Sequence, residues 1–160
     1  MEENQIILFF DKFGYNGPLI MFILSIICLN KTNLYLYGYL FFWTLNKISN
    51  ERLKLFFKEL RPKGFDKINA FDNNTFEGAH YYGMPSGHAQ TVFFSIAYLW
   101  YVFGSLNILF SGLFVGLLTV IQRWKYKKHS VKQLFVGSIL GIFFSYISYL
   151  IVKFFIESEI

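Results

Sequence analysis

Charged residues are scarce in this chain of 160 residues. Charged residues make up 16% of the sequence, whereas a water-soluble domain typically carries about 25%. The Lys and Arg residues behind the net charge of +5 form two short clusters beside apolar stretches, not one continuous basic face. Nucleic-acid-binding domains show such a face, so the composition argues against nucleic acid as a partner.

Cysteine is almost absent as well. Cys28 is the single cysteine, which excludes an intrachain disulfide, and its apolar surroundings predict that it packs as a small hydrophobic side chain. The opening residues, Met1 to Asn4, are acidic where a signal peptide is basic, so no cleaved leader is expected. His80 lacks a carboxylate or histidine at metal-ligand spacing and is predicted to be a surface or loop residue.

Apolar sequence, in contrast, is abundant. Hydrophobic residues make up 54% of the chain and aromatic residues 22%, and a backbone inside a bilayer satisfies its hydrogen bonds by forming helices. We therefore predict one all-α domain over residues 1–160, an integral membrane bundle with about five (four to six) transmembrane helices. Five stretches are expected to be helical: Gly17 to Asn30, Asn33 to Leu45, Ala89 to Gly104, Leu106 to Ile121 and Leu134 to Val152.

The first part of the chain predicts membrane-spanning helices less clearly. The first two apolar stretches are shorter than the roughly 20 residues that a full span needs. The apolar residues directly after Asn4 are expected to form an amphipathic lead-in at most.

The short link Gly104-Ser105 determines which polar segments share a membrane face. The third and fourth stretches are joined by little more than this link, so they are predicted to form a tight hairpin that leaves the membrane on the side it entered. The polar segment before the hairpin, residues 46–84, and the basic segment after it, residues 123–132, then lie on the same face. Within the first segment, Asp72 to Thr75 is predicted to be a flexible loop.

The first basic segment carries Lys54 and Arg61, followed by Pro62. Seven residues are nearly two helical turns, so both cations are expected on one face of a helix that Pro62 ends. Arg offers a planar fork of donors that matches phosphate oxygens, and Lys adds a compact charge. The alternative interpretation is a juxtamembrane cluster whose side chains extend to lipid headgroups.

The second element is Pro85-Ser86-Gly87-His88, directly before the third apolar stretch. A Pro-Ser-Gly turn at a helix N-terminus predicts an anion site made of backbone N–H groups and the Ser86 hydroxyl. His88 would lie beside that site, where an imidazole can donate a proton to a leaving group. A simple helix cap at Ser86 is the alternative, although a cap requires neither the glycine nor the histidine.

The third element runs from Arg123 to His129 and on to Gln133. Gln133 lies four residues after His129 and so shares its helical face. Its amide oxygen is predicted to accept the Nδ1–H of His129 and to leave Nε2 free to attack phosphorus. The lysines between them are interpreted as interfacial loop residues without a chemical role: Lys125, Lys127 and Lys128.

In order and spacing, the three elements resemble the signature of the type 2 phosphatidic acid phosphatase family. The resemblance covers about half of the chain, from Lys54 to Gln133. It implies a membrane helix bundle that acts as a phosphatase on a lipid phosphate or diphosphate, with neither a metal nor another cofactor. It also implies that His129 forms a phosphohistidine and that His88 protonates the departing oxygen. The residues implied to hold the phosphoryl oxygens are Lys54, Arg61, Ser86, Gly87 and Arg123.

Two positions depart from the general family pattern. The third motif usually begins with Ser and ends with Asp, whereas this chain has Gln122 and Gln133. An amide can orient a histidine but, unlike a carboxylate, cannot stabilise the positive charge it acquires. The dolichyl-diphosphate phosphatase branch resembles this chain here, with its His-x-x-x-Gln ending and a second motif matched by Tyr82 to Gln90. The resemblance therefore implies hydrolysis of a polyprenyl (dolichyl-type) diphosphate to the monophosphate.

Two other functions stay open at this stage. One is a phosphatase acting on phosphatidic acid or another glycerolipid phosphate. The other is a catalytically silent membrane protein that binds anionic lipid headgroups through the same cations, since the missing carboxylate matters greatly in comparable triads.

The side of the membrane that carries the site also stays open. Most Lys and Arg residues outside the motifs fall on the predicted catalytic face, and Lys31 and Lys153 fall on the other. The positive-inside rule therefore predicts a cytoplasmic site, whereas the dolichyl-diphosphate branch works on the lumenal side. In a eukaryote, or a virus of eukaryotes, the expected location is a membrane like the endoplasmic reticulum. No oligomeric state is predicted.

Overall fold

The protein folds into α-helices joined by short connections, except that the longer segment 58–86 links the third α-helix to the fourth. The computed structural model describes residues 2–65 and 76–158, with side chains from residue 5 onward, and within these ranges it contains no β-strand. The predicted loop from Asp72 to Thr75 lies outside the described residues. The α-helices are α1 (Glu2–Tyr15), α2 (Gly17–Leu29), α3 (Asn33–Phe57), α4 (Gly87–Phe103), α5 (Leu106–Lys125) and α6 (Val131–Ser158).

The helices confirm the predicted all-α membrane fold. Among the described residues, α5 and α6 are each long and apolar enough to cross a membrane. The pair α1–α2, which bends by 62° between Tyr15 and Gly17, raises the number to three if it forms one broken span. The 17 residues of α4 fall short of the roughly 20 of a full span. Polar residues interrupt the C-terminal half of α3.

The helix boundaries differ most from the predicted ones at the start of the chain and at the end of the second predicted helix. The segment expected to be a lead-in forms the 14-residue helix α1, which contacts α5. The second predicted helix, expected to end at Leu45, continues to Phe57 as α3. This extension carries Lys54 at the end of a helix that starts on the opposite side of the bundle.

Helix α4 lies at the centre of the bundle, in contact with α2, α3, α5 and α6. Its closest neighbour is α6, which turns small residues toward it. A Cβ added to Gly137 would come within 2.6 Å of the Ser86 carbonyl oxygen, and one added to Gly141 would overlap the Gln90 carbonyl oxygen. Small residues spaced by four allow two helices to approach closely in a membrane. This contact fixes the start of α4, where the second motif lies, against the start of α6.

Replacing Gly141 by leucine should therefore disrupt the bundle. The new side chain has no room against the α4 backbone, and overpacking of this kind costs about 1–3 kcal/mol. We expect a lower thermal unfolding temperature in detergent for Gly141→Leu. Ser138→Ala on the same helix is the control, because the Ser138 hydroxyl bonds only its own helix, at Leu134 O. Equal unfolding temperatures for the two variants would contradict the packing account.

Candidate active site

A cavity of about 550 Å³ opens where α1 meets α2, beside α3 and the start of α4. Six of the eight predicted site residues line it: Lys54, Arg61, Gly87, His88, Arg123 and His129. The carboxylate of Glu51 and the exposed side chain of His80 also lie on its wall. The cavity thus brings together residues from all three motifs, while Ser86 and Gln133 lie behind the wall.

His129 lies between α5 and α6, in the connection that follows Arg123. Its side chain is 2% exposed, and its Nδ1 is 2.9 Å from the Gly83 carbonyl oxygen. A carbonyl only accepts, so the proton is on Nδ1, and Nε2 presents a lone pair. Nε2 lies 3.4 Å from Nη1 of Arg61. The nitrogen that carries the lone pair therefore faces Arg61, the cation predicted to hold the phosphate.

The predicted hydrogen bond from His129 to Gln133 is wrong. The Gln133 amide oxygen accepts the Ser130 N–H at 3.1 Å, and its NH₂ group donates to Glu59 Oε1 at 3.0 Å and to Leu60 O at 2.8 Å. The shared helical face did not produce the contact, because His129 precedes α6 and turns toward Gly83.

Charge and burial determine the protonation state of His129. Burial, followed by the nearby cations Arg61, Arg123 and Lys54, holds the pKa of its imidazole well below the usual range. The imidazole is therefore neutral at pH 7 and keeps its Nε2 lone pair. A phosphate entering the cavity would offset the positive charge of these cations.

Arg61 is fixed by backbone carbonyls and an aromatic ring. Its Nε and Nη2 donate to His80 O at 3.1 and 2.9 Å, its Nη1 donates to Lys128 O at 2.7 Å, and its guanidinium lies 4.7 Å from the centre of the Phe76 ring. These anchors hold the guanidinium in one orientation on the cavity wall. Such pre-orientation favours recognition of phosphate over water.

The helix predicted to carry both Lys54 and Arg61 ends before Arg61. Lys58 adopts a left-handed conformation (φ 48°), and its N–H closes α3 on Lys54 O at 3.0 Å. Lys54, 4% exposed, is thus in the last turn of α3, and Arg61 follows in a non-helical segment. The chain turns back there because Glu59 and Leu60 bond partners outside the helix, so tertiary contacts bring the two cations together.

Gly87 and His88 form the first turn of α4 on the cavity wall. The N–H groups of a first turn have no partner within their helix, and the positive end of the helix dipole favours an anion there. A Cβ on Gly87 would lie 3.0 Å from Asn50 Oδ1, so any larger residue would require the Asn50 side chain to shift. The ring of Tyr15, from α1, lies 5.7 Å from the His88 ring and covers it from one side.

Ser86 takes the alternative role of a helix cap. Its side chain is fully buried, and its hydroxyl accepts the Ala89 N–H at 3.5 Å. Its own N–H donates to Gln133 O at 3.1 Å. The predicted phosphate contact of the Ser86 hydroxyl is therefore not supported, because this group faces the helix end and not the cavity.

Sequence reasoning missed the residues that attach α3 to α4. The buried Gln90 side chain donates to Asn46 Oδ1 at 2.9 Å and accepts from Asn50 Nδ2 at 2.8 Å. Asn50 also donates to Pro85 O at 3.3 Å. The spacing of Asn46, Asn50 and Lys54, four residues apart, was the available signal, since it places one polar stripe on the face of α3 that meets the site.

Lys128 was also misjudged as a simple interfacial residue. Its side chain is fully buried, and its Nζ donates to Phe65 O at 2.9 Å. Because Lys128 O accepts Nη1 of Arg61, this lysine joins the third motif to the segment that follows the first. Its contribution is structural.

The helical bundle and its cavity, which is lined by cations and histidines, are typical of a class: helical membrane proteins with a site for an anionic group. In comparison with known families, the PAP2 superfamily matches residues 35–157, more than half of the chain, and the chain belongs to this superfamily. Neither the curated proteins nor the solved structures contained a match. Members of the superfamily are phosphatases, and membership indicates a lipid phosphatase. Helices α1 and α2 precede the matched range.

Proposed function

We propose that this protein hydrolyses a polyprenyl (dolichyl-type) diphosphate to the lipid monophosphate and inorganic phosphate. The observation that supports this most is the convergence of Lys54, Arg61 and Arg123 with His88 and His129 on one cavity. Arg61, Arg123 and the charged form of Lys54 match the charge of a phosphoryl group. Burial and the two arginines lower the pKa of Lys54 to about 7, and a bound phosphate favours its charged form. The two imidazoles provide a nucleophile and an acid. The bilayer holds the lipid, in an endoplasmic-reticulum-like membrane if the cell is eukaryotic.

The proposed reaction has two steps. Nε2 of His129 attacks the terminal phosphorus, the bond to the bridging oxygen breaks, and His88, which enters the step as an imidazolium, protonates that oxygen as the lipid monophosphate departs. Burial and the nearby cations, Arg123 first, hold the pKa of His88 well below its usual range, and the negative charge of the bound diphosphate opposes this effect and favours the imidazolium. Water, deprotonated by His88, then attacks the phosphohistidine and releases inorganic phosphate and His129. Lys54, Arg61 and Arg123 offset the charge of the transferring group in both steps. The residues supply every proton transfer, and no metal takes part.

We propose a diphosphate and not a phosphate ester as the substrate because the two have different leaving groups. Among the described residues no carboxylate contacts Nδ1 of His129, which bonds the neutral Gly83 carbonyl. The imidazolium character that develops on attack is thus less stabilised than in a triad with a carboxylate. A departing lipid phosphate is a weaker base than an alkoxide, so it demands less of this nucleophile.

The cavity also has a cation beyond the three motifs, as a second phosphate requires. Lys47 lies on the cavity wall seven residues before Lys54, which is about 10 Å along the helix. Its Nζ lies 4.8 Å from the centre of the Trp43 ring. The Trp43 indole N–H is buried and has no hydrogen-bond partner among the described residues. We assign Lys47 and Trp43 to the phosphate that stays on the lipid.

Lys47→Gln should therefore discriminate between substrates. We expect KM for a polyprenyl diphosphate to rise about tenfold, in the range of a lost hydrogen bond to a charged group, and kcat/KM for phosphatidic acid to stay within about twofold. Phosphate release by the purified protein in chelator, measured with both lipids, checks this. Lys31→Gln, in the turn between α2 and α3, is the matched control.

The wild-type protein in the same panel tests the substrate itself. We expect a higher kcat/KM for the diphosphate; a clear preference for phosphatidic acid would replace the proposal with a glycerolipid phosphatase. Binding of both lipids without any phosphate release would instead support the silent lipid-binding protein that the same cations permit.

A further inference from the structure

We propose that Glu59 is a positioning residue for the nucleophile: through Gln133 it holds the Gly83 carbonyl that orients His129. The inference rests on the proposed role of His129 but not on the identity of the lipid. Glu59 lies just after α3, between Lys54 and Arg61, and is not one of the residues that define the three motifs. Its connection to His129 consists of two contacts, one through the side chain of Gln133 and one through its own backbone.

The contact through the side chain of Gln133 depends on an amide whose hydrogen-bonding groups all have partners. Its oxygen accepts from Ser130 N–H, and its two N–H groups donate to Glu59 Oε1 at 3.0 Å and to Leu60 O at 2.8 Å. Only one orientation of the amide satisfies a donor and two acceptors. The buried amide, 1% exposed, is therefore locked in place, and Glu59 provides one of the acceptors that lock it.

Gly83 packs directly against this locked amide. A Cβ on Gly83 would overlap Oε1 of Gln133, and its Cδ and Nε2 would lie 2.7 Å away. The Gly83 N–H donates to the backbone oxygen of Glu59 at 2.8 Å, next to the bridge between Leu60 and Tyr82. The position of Gly83 is thus determined on one side by the Gln133 amide and on the other by the Glu59 backbone.

The Gly83 carbonyl in turn sets the tautomer of His129. It accepts the Nδ1–H at 2.9 Å and leaves Nε2 as the lone-pair nitrogen that faces Arg61. If Gly83 shifts, the imidazole loses this acceptor and its alignment. In a catalytic histidine the wrong tautomer is costly, since the lone pair then points away from the reacting atom.

Glu59 is ionised at neutral pH. The hydrogen bond from Lys132, at 2.8 Å, and that from Gln133 lower the pKa of its carboxyl. The Lys132 side chain is 69% exposed, and an exposed ion pair contributes little. The contact of Glu59 with Gln133, not the contact with Lys132, carries the positioning role.

Three variants separate positioning from a surface ion pair. Glu59→Ala removes one of the two acceptors of the Gln133 amide and should lower kcat about 10- to 100-fold, the cost of losing an outer partner behind a metal-bound histidine, with KM within about twofold. Glu59→Gln keeps an acceptor oxygen and should restore kcat to within about fivefold. Lys132→Ala should leave kcat unchanged.

The tautomer of His129 gives a readout that needs no turnover. In ¹⁵N-histidine NMR of the detergent-solubilised protein, with His129 assigned from a His129→Ala sample, the wild type should show the Nδ1–H form. Glu59→Ala should show a mixture of tautomers. If no lipid is hydrolysed by any variant, the proposed function fails while this spectrum still tests the positioning role.

A carboxylate introduced at position 133, where the general family pattern has one, tests the same contact from the side of Gln133. Gln133→Glu places oxygen where an N–H now meets Glu59 Oε1 and Leu60 O, so we expect lower activity, not a gain. Combining it with Glu59→Gln should recover part of the loss. The inference is overturned if Glu59→Ala leaves both kcat and the His129 spectrum unchanged, if Lys132→Ala reproduces the loss, or if Gln133→Glu is more active than wild type.

Discussion

His129→Ala is expected to reduce phosphate release by about 10⁵-fold or more, to the background rate, because alanine has no atom that can attack phosphorus. Removal of the nucleophile from a comparable covalent mechanism costs on the order of 10⁶ in kcat. The cations Lys54, Arg61 and Arg123 remain in this variant, so lipid binding should persist. Phosphate release and lipid binding measured on the same preparation check both halves of the prediction.

His80→Ala is the matched control for this variant. His80 lies on the same cavity wall, its side chain has no role in the proposed reaction, and alanine retains the backbone carbonyl that holds Arg61. We expect activity within about threefold of wild type. Turnover retained in His129→Ala, or lost equally in His80→Ala, would show that His129 is not the nucleophile.

His88→Ala is expected to lower kcat by an amount that depends on the leaving group. A general acid contributes about 10²- to 10⁴-fold, and its contribution grows with the basicity of the departing oxygen. The loss should therefore be near the upper end of this range for phosphatidic acid, whose leaving group is an alkoxide. It should be near the lower end for the polyprenyl diphosphate, measured as kcat for both lipids under saturating conditions.

An activated phosphate ester provides the control for His88. An aryl phosphate has a leaving group that departs without protonation, so the first step should be nearly insensitive to His88→Ala. The burst of aryl alcohol that His88→Ala releases on rapid mixing should match that of wild type. The later hydrolysis of the phosphohistidine should be slower in this variant. An equal loss in the burst for all three leaving groups would assign His88 to binding and not to proton transfer.

Apolar stretches were enough to predict the fold class but not the helix ends. The five stretches each correspond to an observed helix, because burial in a bilayer requires internal hydrogen bonding. The continuity of α3 was missed since the polar residues Asn46 and Asn50 separate the apolar stretch that ends at Leu45 from the helix predicted to carry Lys54. Asn46 and Asn50 are compatible with a buried helix because Gln90 donates to Asn46 Oδ1 and accepts from Asn50 Nδ2, which also donates to Pro85 O.

The composition of the site was easier to predict than its internal contacts. Six residues from three separate motifs line one cavity, because the hairpin of α4 and α5 returns both ends to one face. Periodicity failed at Arg61 and at Gln133. Arg61 lies beyond the end of α3, where its guanidinium donates to His80 O, and the Gly83 carbonyl takes the contact with His129 Nδ1 that sequence spacing assigned to Gln133.

The supporting residues were invisible to motif reasoning for the same reason. Glu59 and Lys128 look like ordinary charges in basic segments, and their roles depend on the fold that brings residues 59–61 beside Gly83 and Gln133. A stripe of polar residues on an apolar helix was the one local signal available, and it identifies Asn46 and Asn50 but not Glu59.

The central claim is that turnover proceeds through a phosphohistidine at residue 129, and rapid acid-free quenching with alkali tests it most directly. During hydrolysis of ³²P-labelled polyprenyl diphosphate, the protein should carry an alkali-stable, acid-labile label, and proteolysis should place it on the peptide containing His129. The label should be absent from His129→Ala and should accumulate in His88→Ala, whose second step is slowed. Turnover without any protein-bound phosphate, or label on another residue, would contradict the mechanism.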